Sequence, residues 1–175
     1  MARASRVAPT AAFSAGSTPV NHATMAAVLA LCAGFLLAVL WFDLMFDVQV
    51  LGRGRGADPL PEEVLASIAA YYRRVTTQAR PMNYLVGVVM LVTAGGTLIG
   101  LFRGVGSPAL RLLSLALCGI PIVAARARTV PNAVRLGSRA DPPDVQSRLA
   151  HAICRDHLAF FGTIAAFAVL QLLAW

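Results

Sequence analysis

Apolar residues in this chain are concentrated in four long stretches that are separated by polar segments. The stretches are Met25–Phe42, Met82–Phe102, Ala109–Ala125 and Leu158–Trp175. A helix rises about 1.5 Å per residue and the hydrocarbon core of a bilayer is about 30 Å thick, so roughly 17–25 apolar residues can cross it. Each stretch is long enough, although the third is close to the limit. The pattern predicts an all-α fold, an integral membrane four-helix bundle.

The chain is predicted to form one transmembrane domain, residues 25–175, behind a flexible tail, residues 1–24. With flanking residues that continue each helix, the spans are expected at about 25–46, 82–102, 109–125 and 151–174. The tail holds Arg3 and Arg6, many small residues and no acid, as in either an organelle transit peptide or a bacterial tail. The first apolar stretch is too long for a secretory signal, which favours a retained span.

The first long loop is predicted to contain an amphipathic helix. Its start is marked by Asp58-Pro59-Leu60-Pro61-Glu62-Glu63, which offers a capping residue, prolines and acids for the positive end of a helix. Apolar side chains then follow at helical spacing, at Val64, Ile68, Tyr71, Tyr72 and Val75. This stripe could lie on the membrane surface or cap the bundle, and the helix is expected to bend or restart at Pro81.

The other two connections differ in length. A tight turn is predicted between Arg103 and Pro108, so the second and third spans are antiparallel neighbours. Pro121 is expected to kink the third span. The third loop ends in Asp141-Pro142-Pro143-Asp144, which again favours a helix start, and the last helix is expected to extend from there beyond the bilayer.

Composition and charge support a membrane protein and narrow its partners. Hydrophobic residues make up 58% of the chain and charged residues 13%, and the formal charge of +7 comes from 15 arginines and no lysine. The arginines lie within a few residues of the spans, which favours the lipid bilayer over nucleic acid as their partner. Cys32, Cys118 and Cys154 lack the spacing of a zinc or redox site. We expect no nucleic-acid partner, no bound cofactor and no disulfide framework.

The arginines are distributed unevenly between the two sides of the membrane. In a four-span protein the tail, the second loop and the C-terminus share one side, which carries four arginines, while the first and third loops carry eleven. Short loops rich in arginine stay in the cytoplasm. We therefore expect a multi-pass protein of a bacterial inner membrane, with both termini outside and both long loops inside.

Small residues at four-residue spacing mark expected helix contacts. Gly96 and Gly100 form one Gly-x-x-x-Gly pair, and Gly162 with Ala166 forms a similar one. Such pairs let helix backbones approach closely in lipid. The contact could be packing within the bundle or homodimerisation.

Polar residues are concentrated at one rim, where the ends of the first and third spans are expected to meet the starts of the second and fourth. The candidate catalytic residues at this rim are Asp43, Asn83, Asn132, His151 and His157. The candidate substrate-binding residues are Asp47, Tyr72, Arg80, Arg128 and Arg155. Ionisable groups near hydrocarbon are costly, so they tend to face the bundle and to pair with one another.

Asp43 is the most informative of these residues, because it interrupts an apolar run at membrane depth one helical turn before Asp47. We expect its partner to be Arg80 or an arginine of the last helix. One interpretation is an ion-pair latch that fixes the order of the helices. The other is a polar pocket in which Asp43 or Asp47 holds or deprotonates a substrate while arginines orient an oxyanion.

Three residues of the last helix could also suggest a metal site. His151, Cys154 and His157 fall within one arc of the helix, with the acids of the first span expected opposite them. Helical metal ligands favour a four-residue spacing that these residues do not have, so we predict no metal. The histidines are expected to hydrogen-bond neighbours or headgroups, and Asp156 is expected to pair with a loop charge.

The order of elements and several short motifs resemble the anthrone-oxygenase-like family of small membrane proteins. The matching residues are Tyr72, Arg80-Pro81-Met82-Asn83, Pro131-Asn132 and the segment from His151 to Leu158, within a region from Ala30 to Leu173. The last segment contains Cys154-Arg155-Asp156-His157, where the family pattern has His followed by Arg. The resemblance implies a four-span fold and the oxidation of polycyclic aromatic substrates without a bound cofactor.

Three functions are consistent with the sequence. The first is an accessory or interaction subunit that packs against another integral membrane protein, or itself, through glycine-rich helix faces and basic cytoplasmic loops. The second is an oxygenase-like membrane enzyme that acts on a lipophilic or aromatic substrate at the cytoplasmic rim. A small transporter is third, because four spans rarely enclose a pathway and no inverted repeat is visible. The lack of a sharp catalytic motif favours the first.

Overall fold

The structure is a computed structural model that describes residues 19–53, 59–104 and 107–173. The α-helices in these ranges are α1 Pro19–Asp47, α2 Glu62–Arg73, α3 Arg80–Arg103, α4 Pro108–Ala124, α5 Val130–Ser138 and α6 Pro143–Leu173. The turn Val48–Val50 after α1 is a 3-10 helix. The segments Arg74–Gln78 after α2 and Ala125–Thr129 after α4 are π-helical and are called the first and second π-turns below. The predicted helix start at Asp58 and most of the predicted tail lie outside the described residues.

Four of these helices form an antiparallel bundle. α1 packs against α3 and α6, and α4 packs against the same two helices, so the order around the bundle is α1, α3, α4, α6. All four are long and apolar enough to cross a membrane, and only 11% to 33% of their most apolar windows is buried inside the chain. The remaining apolar surface faces outward, where a bilayer would cover it. The prediction of an all-α four-helix membrane bundle is confirmed.

The loop helix α2 is amphipathic and caps one end of the bundle. Its apolar stripe is buried at Val64, Ile68 and Tyr72, and it packs against α5 and α6. These three helices enclose a small core that includes Leu136 and Ile153, both fully buried. The stripe therefore caps the bundle instead of lying free on a membrane surface. The end of the molecule formed by α2, α5 and the first turns of α6 is called the capped end below.

The chain bends between α2 and α3, close to Pro81 as predicted. Ala79 leaves the helical region with φ −85° and ψ 55°, and α3 begins at Arg80. Pro81 then lies in the first turn of α3, where its missing N–H group leaves no helical hydrogen bond unmade.

The third span is longer than its apolar stretch. That stretch ends at Ala125, but the helix continues through the π-turn into α5 and ends at Ser138. The polar residues after Ala125 do not end the helix because its last turns are amphipathic, with Leu136 buried against α2 and Arg126 exposed. Residues 19–24, expected as part of the tail, are also helical.

One of the two predicted glycine pairs lies at a helix contact. A Cβ atom at Gly96 would lie 2.9 Å from Cδ2 of Leu29, and one at Gly100 would lie 3.3 Å from Cε of Met25. The absence of a side chain at these positions lets α3 approach α1 closely.

The second pair, Gly162 and Ala166, is exposed on α6 instead. A Cβ atom at Gly162 would meet no atom of the described chain within 4 Å. Contact through this face would need another molecule, and homodimerisation there stays a prediction.

Candidate functional site

A buried histidine and a buried carboxylate are in direct contact at the capped end. Nδ1 of His157 on α6 lies 2.7 Å from Oδ2 of Asp47 at the end of α1. The phenol of Tyr72 on α2 donates a 2.6 Å hydrogen bond to Oδ1 of Asp47. Asp47 is fully buried, so these two donors replace the water that a carboxylate would otherwise bind. Three helices thus meet at a single carboxylate.

A second carboxylate, Asp43, lies one turn earlier on the same face of α1. Its Oδ1 accepts a 2.8 Å hydrogen bond from the phenol of Tyr71, and its Oδ2 lies 3.9 Å from Nε2 of His157. Tyr71 is held in place by stacking on Phe46, with ring centroids 4.0 Å apart. Both acids therefore flank one imidazole.

The predicted ion pair between Asp43 and an arginine is wrong. Arg80 is exposed at the start of α3 and Arg155 is exposed on α6, and in the described chain the ionic partner of both acids is His157. Phenol and imidazole donors take the place of arginine because α2 and α6 carry them directly against the end of α1. An exposed guanidinium would lose its hydration by turning into the bundle.

The two tyrosines of the site are held in their neutral form. Burial, followed by the charge of Asp43, raises the pKa of Tyr71 above its ordinary value. Burial, followed by the charge of Asp47, likewise raises the pKa of Tyr72. Both phenols therefore remain hydrogen-bond donors at neutral pH.

Two cavities adjoin this cluster and are called the outer and inner chambers. The outer chamber has a volume of about 370 Å³ and is bounded by α1, α2, α3, α5, α6 and residues of both π-turns. The inner chamber, about 130 Å³, lies deeper in the bundle among apolar residues such as Leu36, Ile122 and Ile164. Asp43 and His157 line both chambers. The acid–imidazole cluster is thus part of a cavity wall with mostly apolar surroundings.

Both π-turns contribute residues to the chamber walls. Val75 and Thr76 come from the first π-turn, and Ala125 and Thr129 come from the second. π-turns are rare and are often found at functional sites, because the extra residue redirects the side chains of the helix. The apolar periodicity did not predict them.

The two asparagines selected from the sequence lie in different places. Asn83 lines the outer chamber and donates a 2.9 Å hydrogen bond to the carbonyl oxygen of Thr76, which fixes the start of α3 to the first π-turn. Asn132 is half-buried on α5 and is not among the described residues that line either chamber.

His151, Cys154 and His157 do not form a joint site. The ring nitrogens of His151 lie 2.8 Å from the carbonyl oxygen of Ser147 and 3.0 Å from that of Arg53. Cys154 is buried in the core of the capped end. Within the described ranges no group of three His, Cys, Asp or Glu side chains is arranged to hold a metal ion.

Arg128 and Asp156 form a separate ion pair beside the chambers. Nη2 and Nε of Arg128 donate to Oδ1 and Oδ2 of Asp156 at 2.5 Å and 3.0 Å, and Thr129 donates to Oδ2 at 2.9 Å. Asp156 thus pairs with a charge as predicted, although Arg128 lies in the continuous helix of the third span and not in a loop. Arg128 is consequently engaged with an acid, and the pair fastens the second π-turn to α6.

Tyr71 is a site residue that was not predicted from the sequence. Its place in the amphipathic stripe marked it as a packing residue, whereas its phenol binds Asp43. Its neighbour Tyr72 could have indicated this role. Adjacent residues of a helix point about 100° apart, so Tyr71 and Tyr72 can reach two acids that lie one turn apart on α1.

Comparison of the chain with protein-family models, with curated proteins and with solved structures finds no match. The evidence for the function therefore comes from the site itself. The site combines a largely apolar cavity, a histidine whose orientation is fixed by a buried carboxylate, and a second acid beside the other ring nitrogen of that histidine.

Proposed function

We propose that this protein is a membrane enzyme that removes a proton from a lipophilic substrate bound in the two chambers. The proposal depends above all on the contact between His157 and Asp47. An ionised carboxylate only accepts hydrogen bonds, so Nδ1 of His157 carries the proton in that contact. The acceptor lone pair of the neutral imidazole is then on Nε2, on the side of Asp43. Nε2 is the general base.

The two acids have different roles in this proposal. Asp47 fixes the tautomer of His157 and stabilises the imidazolium that forms when a proton is taken up, as the acid of a catalytic triad does. Asp43, with Oδ2 3.9 Å from Nε2, is placed to hold the acidic group of the substrate. The apolar walls lower the local dielectric constant and strengthen both interactions.

The family resemblance suggests the step after proton removal. Members of the anthrone-oxygenase-like family are thought to oxidise polycyclic aromatic substrates without a bound cofactor. An electron-rich carbanion or phenolate can pass electrons to dioxygen directly. With anthrone, one molecule of substrate and one of dioxygen give one molecule of anthraquinone and one of water. We propose oxygenase-like chemistry of this kind.

Anthrone is a suitable probe for both steps. Without oxygen, the protein in lipid nanodiscs should accelerate deuterium exchange at the methylene carbon of anthrone. With oxygen, it should accelerate anthraquinone formation with matching oxygen uptake. His157→Gln should lower both rates by about 100-fold or more, the usual contribution of a general base. His151→Gln is the matched control and should keep its activity, and rates equal to those of empty nanodiscs would contradict the proposal.

Asp43→Asn separates the enzymatic interpretation from a purely structural one. The amide keeps the size of the side chain and its carbonyl oxygen can still accept the hydrogen bond from Tyr71. We therefore expect a folded protein without turnover, measured by circular dichroism, size-exclusion chromatography and the anthrone assay. Loss of the fold would instead favour an acid–histidine latch that only fixes the order of the helices.

A second candidate function is an accessory or interaction subunit. It is favoured by the exposed small-residue face of Gly162 and Ala166 on α6, which leaves room for a helix of another membrane protein or of a second copy. Purification in a gentle detergent tests this candidate. A lone monomer without a stoichiometric partner would count against it.

We also propose that the protein resides in a bacterial inner membrane, with the capped end in the cytoplasm and both termini outside. Eleven of the fifteen arginines lie in the first and third loops or next to them, and these loops belong to the capped end. The tendency of arginine-rich short loops to stay in the cytoplasm supports this orientation.

A further inference from the structure

The two chambers lie in line along the bundle axis. Asp43 and His157 mark their junction, because both residues line both chambers. On α1, Leu36 lies seven residues before Asp43, and on α6, Ile164 lies seven residues after His157. Seven residues of helix correspond to about 10 Å. The inner chamber therefore extends about 10 Å from the junction toward the middle of the spans.

The other two spans also line the inner chamber beyond the junction. Met90 lies four residues after Val86, the residue of α3 that lines both chambers, and Ile122 lies seven residues before Thr129 at the end of the second π-turn. Beyond the junction, the described residues that line the inner chamber are all apolar. A polar group would lose its hydrogen bonds at that depth, so the part of a ligand that fits there is an apolar chain.

The outer chamber is larger than the inner one and has more polar side chains in its lining. Its volume is about 370 Å³, against about 130 Å³ for the inner chamber. Its lining includes the polar side chains of Tyr71, Thr76 and Asn83 beside apolar groups such as Val75 and Met82. A flat ring with a polar edge suits this chamber, whereas the smaller, apolar inner chamber suits a chain.

We propose that the ligand of this site is a phenol that carries an alkyl chain ortho to its hydroxyl group. The ring lies in the outer chamber, the hydroxyl donates a hydrogen bond to Nε2 of His157 beside Asp43, and the chain extends into the inner chamber. The chain must be ortho because the hydroxyl and the chain both have to reach the junction; in a para isomer they leave opposite ends of the ring. This inference rests on the proposed function, because it takes the same base and chambers as the substrate site.

Photolabelling in lipid nanodiscs tests this inference without relying on turnover. The probe is an ortho-octylphenol with a diazirine at the end of its chain, and peptide mass spectrometry locates the label. Saturable labelling is expected at the end of the inner chamber farthest from the junction, at Met90, Ile122 or Ile164. Excess ortho-octylphenol should reduce this labelling about tenfold, whereas para-octylphenol should leave most of it in place, because a mismatched polar group lowers affinity by at least that factor.

Two neighbouring residues provide matched variants. Ile122→Phe fills the inner chamber and should abolish saturable labelling by the probe. Val123→Phe adds the same ring one residue further on, where the side chain is 68% exposed, and should leave labelling unchanged. If Ile122→Phe fails to fold, the competition between the two octylphenols in the unmodified protein still decides the matter.

Labelling that excess ortho-octylphenol does not reduce would overturn the inference, because the probe would then reach these residues non-specifically from the bilayer. Equal competition by the two isomers would also overturn it. Saturable, isomer-selective labelling of a protein that fails the anthrone assay would support the ligand class and contradict the proposed enzyme. Anthrone turnover with unselective labelling would leave the enzyme standing and refute the ligand class.

Discussion

Asp47 illustrates how a buried charge is kept in a membrane bundle. The removal of a carboxylate from water costs several kcal/mol, which donors in the protein must offset. Tyr72 supplies one donor at 2.6 Å and His157 supplies another at 2.7 Å. All three side chains are buried, so each depends on the other two for its hydrogen bonds. The cluster is therefore a structural unit as well as a chemical one, and variants that test it must preserve size.

The raised pKa values of Tyr71 and Tyr72 predict a loss of stability at alkaline pH. A tyrosine in the unfolded chain ionises at about pH 10, whereas burial beside Asp43 and Asp47 keeps both phenols protonated above that pH in the folded protein. The unfolded state then binds fewer protons than the folded state. Stability is therefore complete below about pH 10 and falls as the pH rises above it. Thermal unfolding in detergent at increasing pH measures this fall.

Two variants isolate the contribution of these phenols. Tyr72→Phe should flatten part of the pH dependence, because no proton can be lost at that position. Tyr84→Phe leaves Tyr71 and Tyr72 as the tyrosines of the chain, and its near-ultraviolet absorbance should show no phenolate until the protein unfolds. Phenolate formation at about pH 10 in the folded protein would contradict the burial of both groups.

At the scale of helices, Gly137 sets how closely α5 approaches α2. A Cβ atom at Gly137 would lie 2.8 Å from the backbone nitrogen of Arg73 and 3.1 Å from its Cα atom. Backbone cannot move aside as a flexible side chain can, so Gly137→Ala must push the two helices apart. Overpacking of this kind costs about 1–3 kcal/mol. Thermal or denaturant unfolding should show the corresponding loss of stability.

Gly162→Ala is the matched control for this substitution. A Cβ atom at Gly162 would meet no atom of the described residues within 4 Å, and alanine is favoured over glycine inside a helix by about 0.8–1 kcal/mol. The stability of this variant should be unchanged or slightly higher. A loss as large as that of Gly137→Ala would show that the helix contact is not the cause.

The membrane-spanning helices could be predicted from the sequence because lipid requires long apolar stretches, whatever their neighbours are. The continuation of the third span to Ser138 could not be predicted in this way. Its last turns are polar on average, and they stay helical because Leu136 packs against α2, a contact between residues distant in the chain. The π-turns were missed because a single inserted residue leaves no periodic signal.

The candidate site, too, could be predicted from the sequence only in part. Asp43 and His157 could be selected because ionisable groups at membrane depth are costly and tend to be functional. Their partners could not be identified, because partner choice depends on the rotation of α2 about its axis. Charge alone favours an arginine as the partner of Asp43. The phenol of Tyr71, however, is already packed against the end of α1, and as a neutral donor it avoids the desolvation of a guanidinium.

For the whole molecule, the uneven arginines predict which end of the bundle faces the cytoplasm. Eleven of the fifteen lie in the first and third loops or next to them, at the capped end. To export that end, each of these charges would have to cross the membrane against its potential, at about 2.3 kcal/mol per charge for about 100 mV. Ser138 is exposed at the capped end and Ser107 at the opposite end, so a cysteine at either position reports one side of the membrane.

An impermeant maleimide should label Ser107→Cys in intact cells and Ser138→Cys only after the cells are permeabilised. Cys32 is half-buried and is replaced by alanine in both variants, whereas the other two native cysteines are buried. The opposite labelling pattern would contradict the proposed orientation. It would also place His157 near the outer face, so that a substrate of the proposed enzyme would have to come from outside the cell. The expected pattern places the proposed base where a substrate made in the cytoplasm can enter the chambers from the inner leaflet.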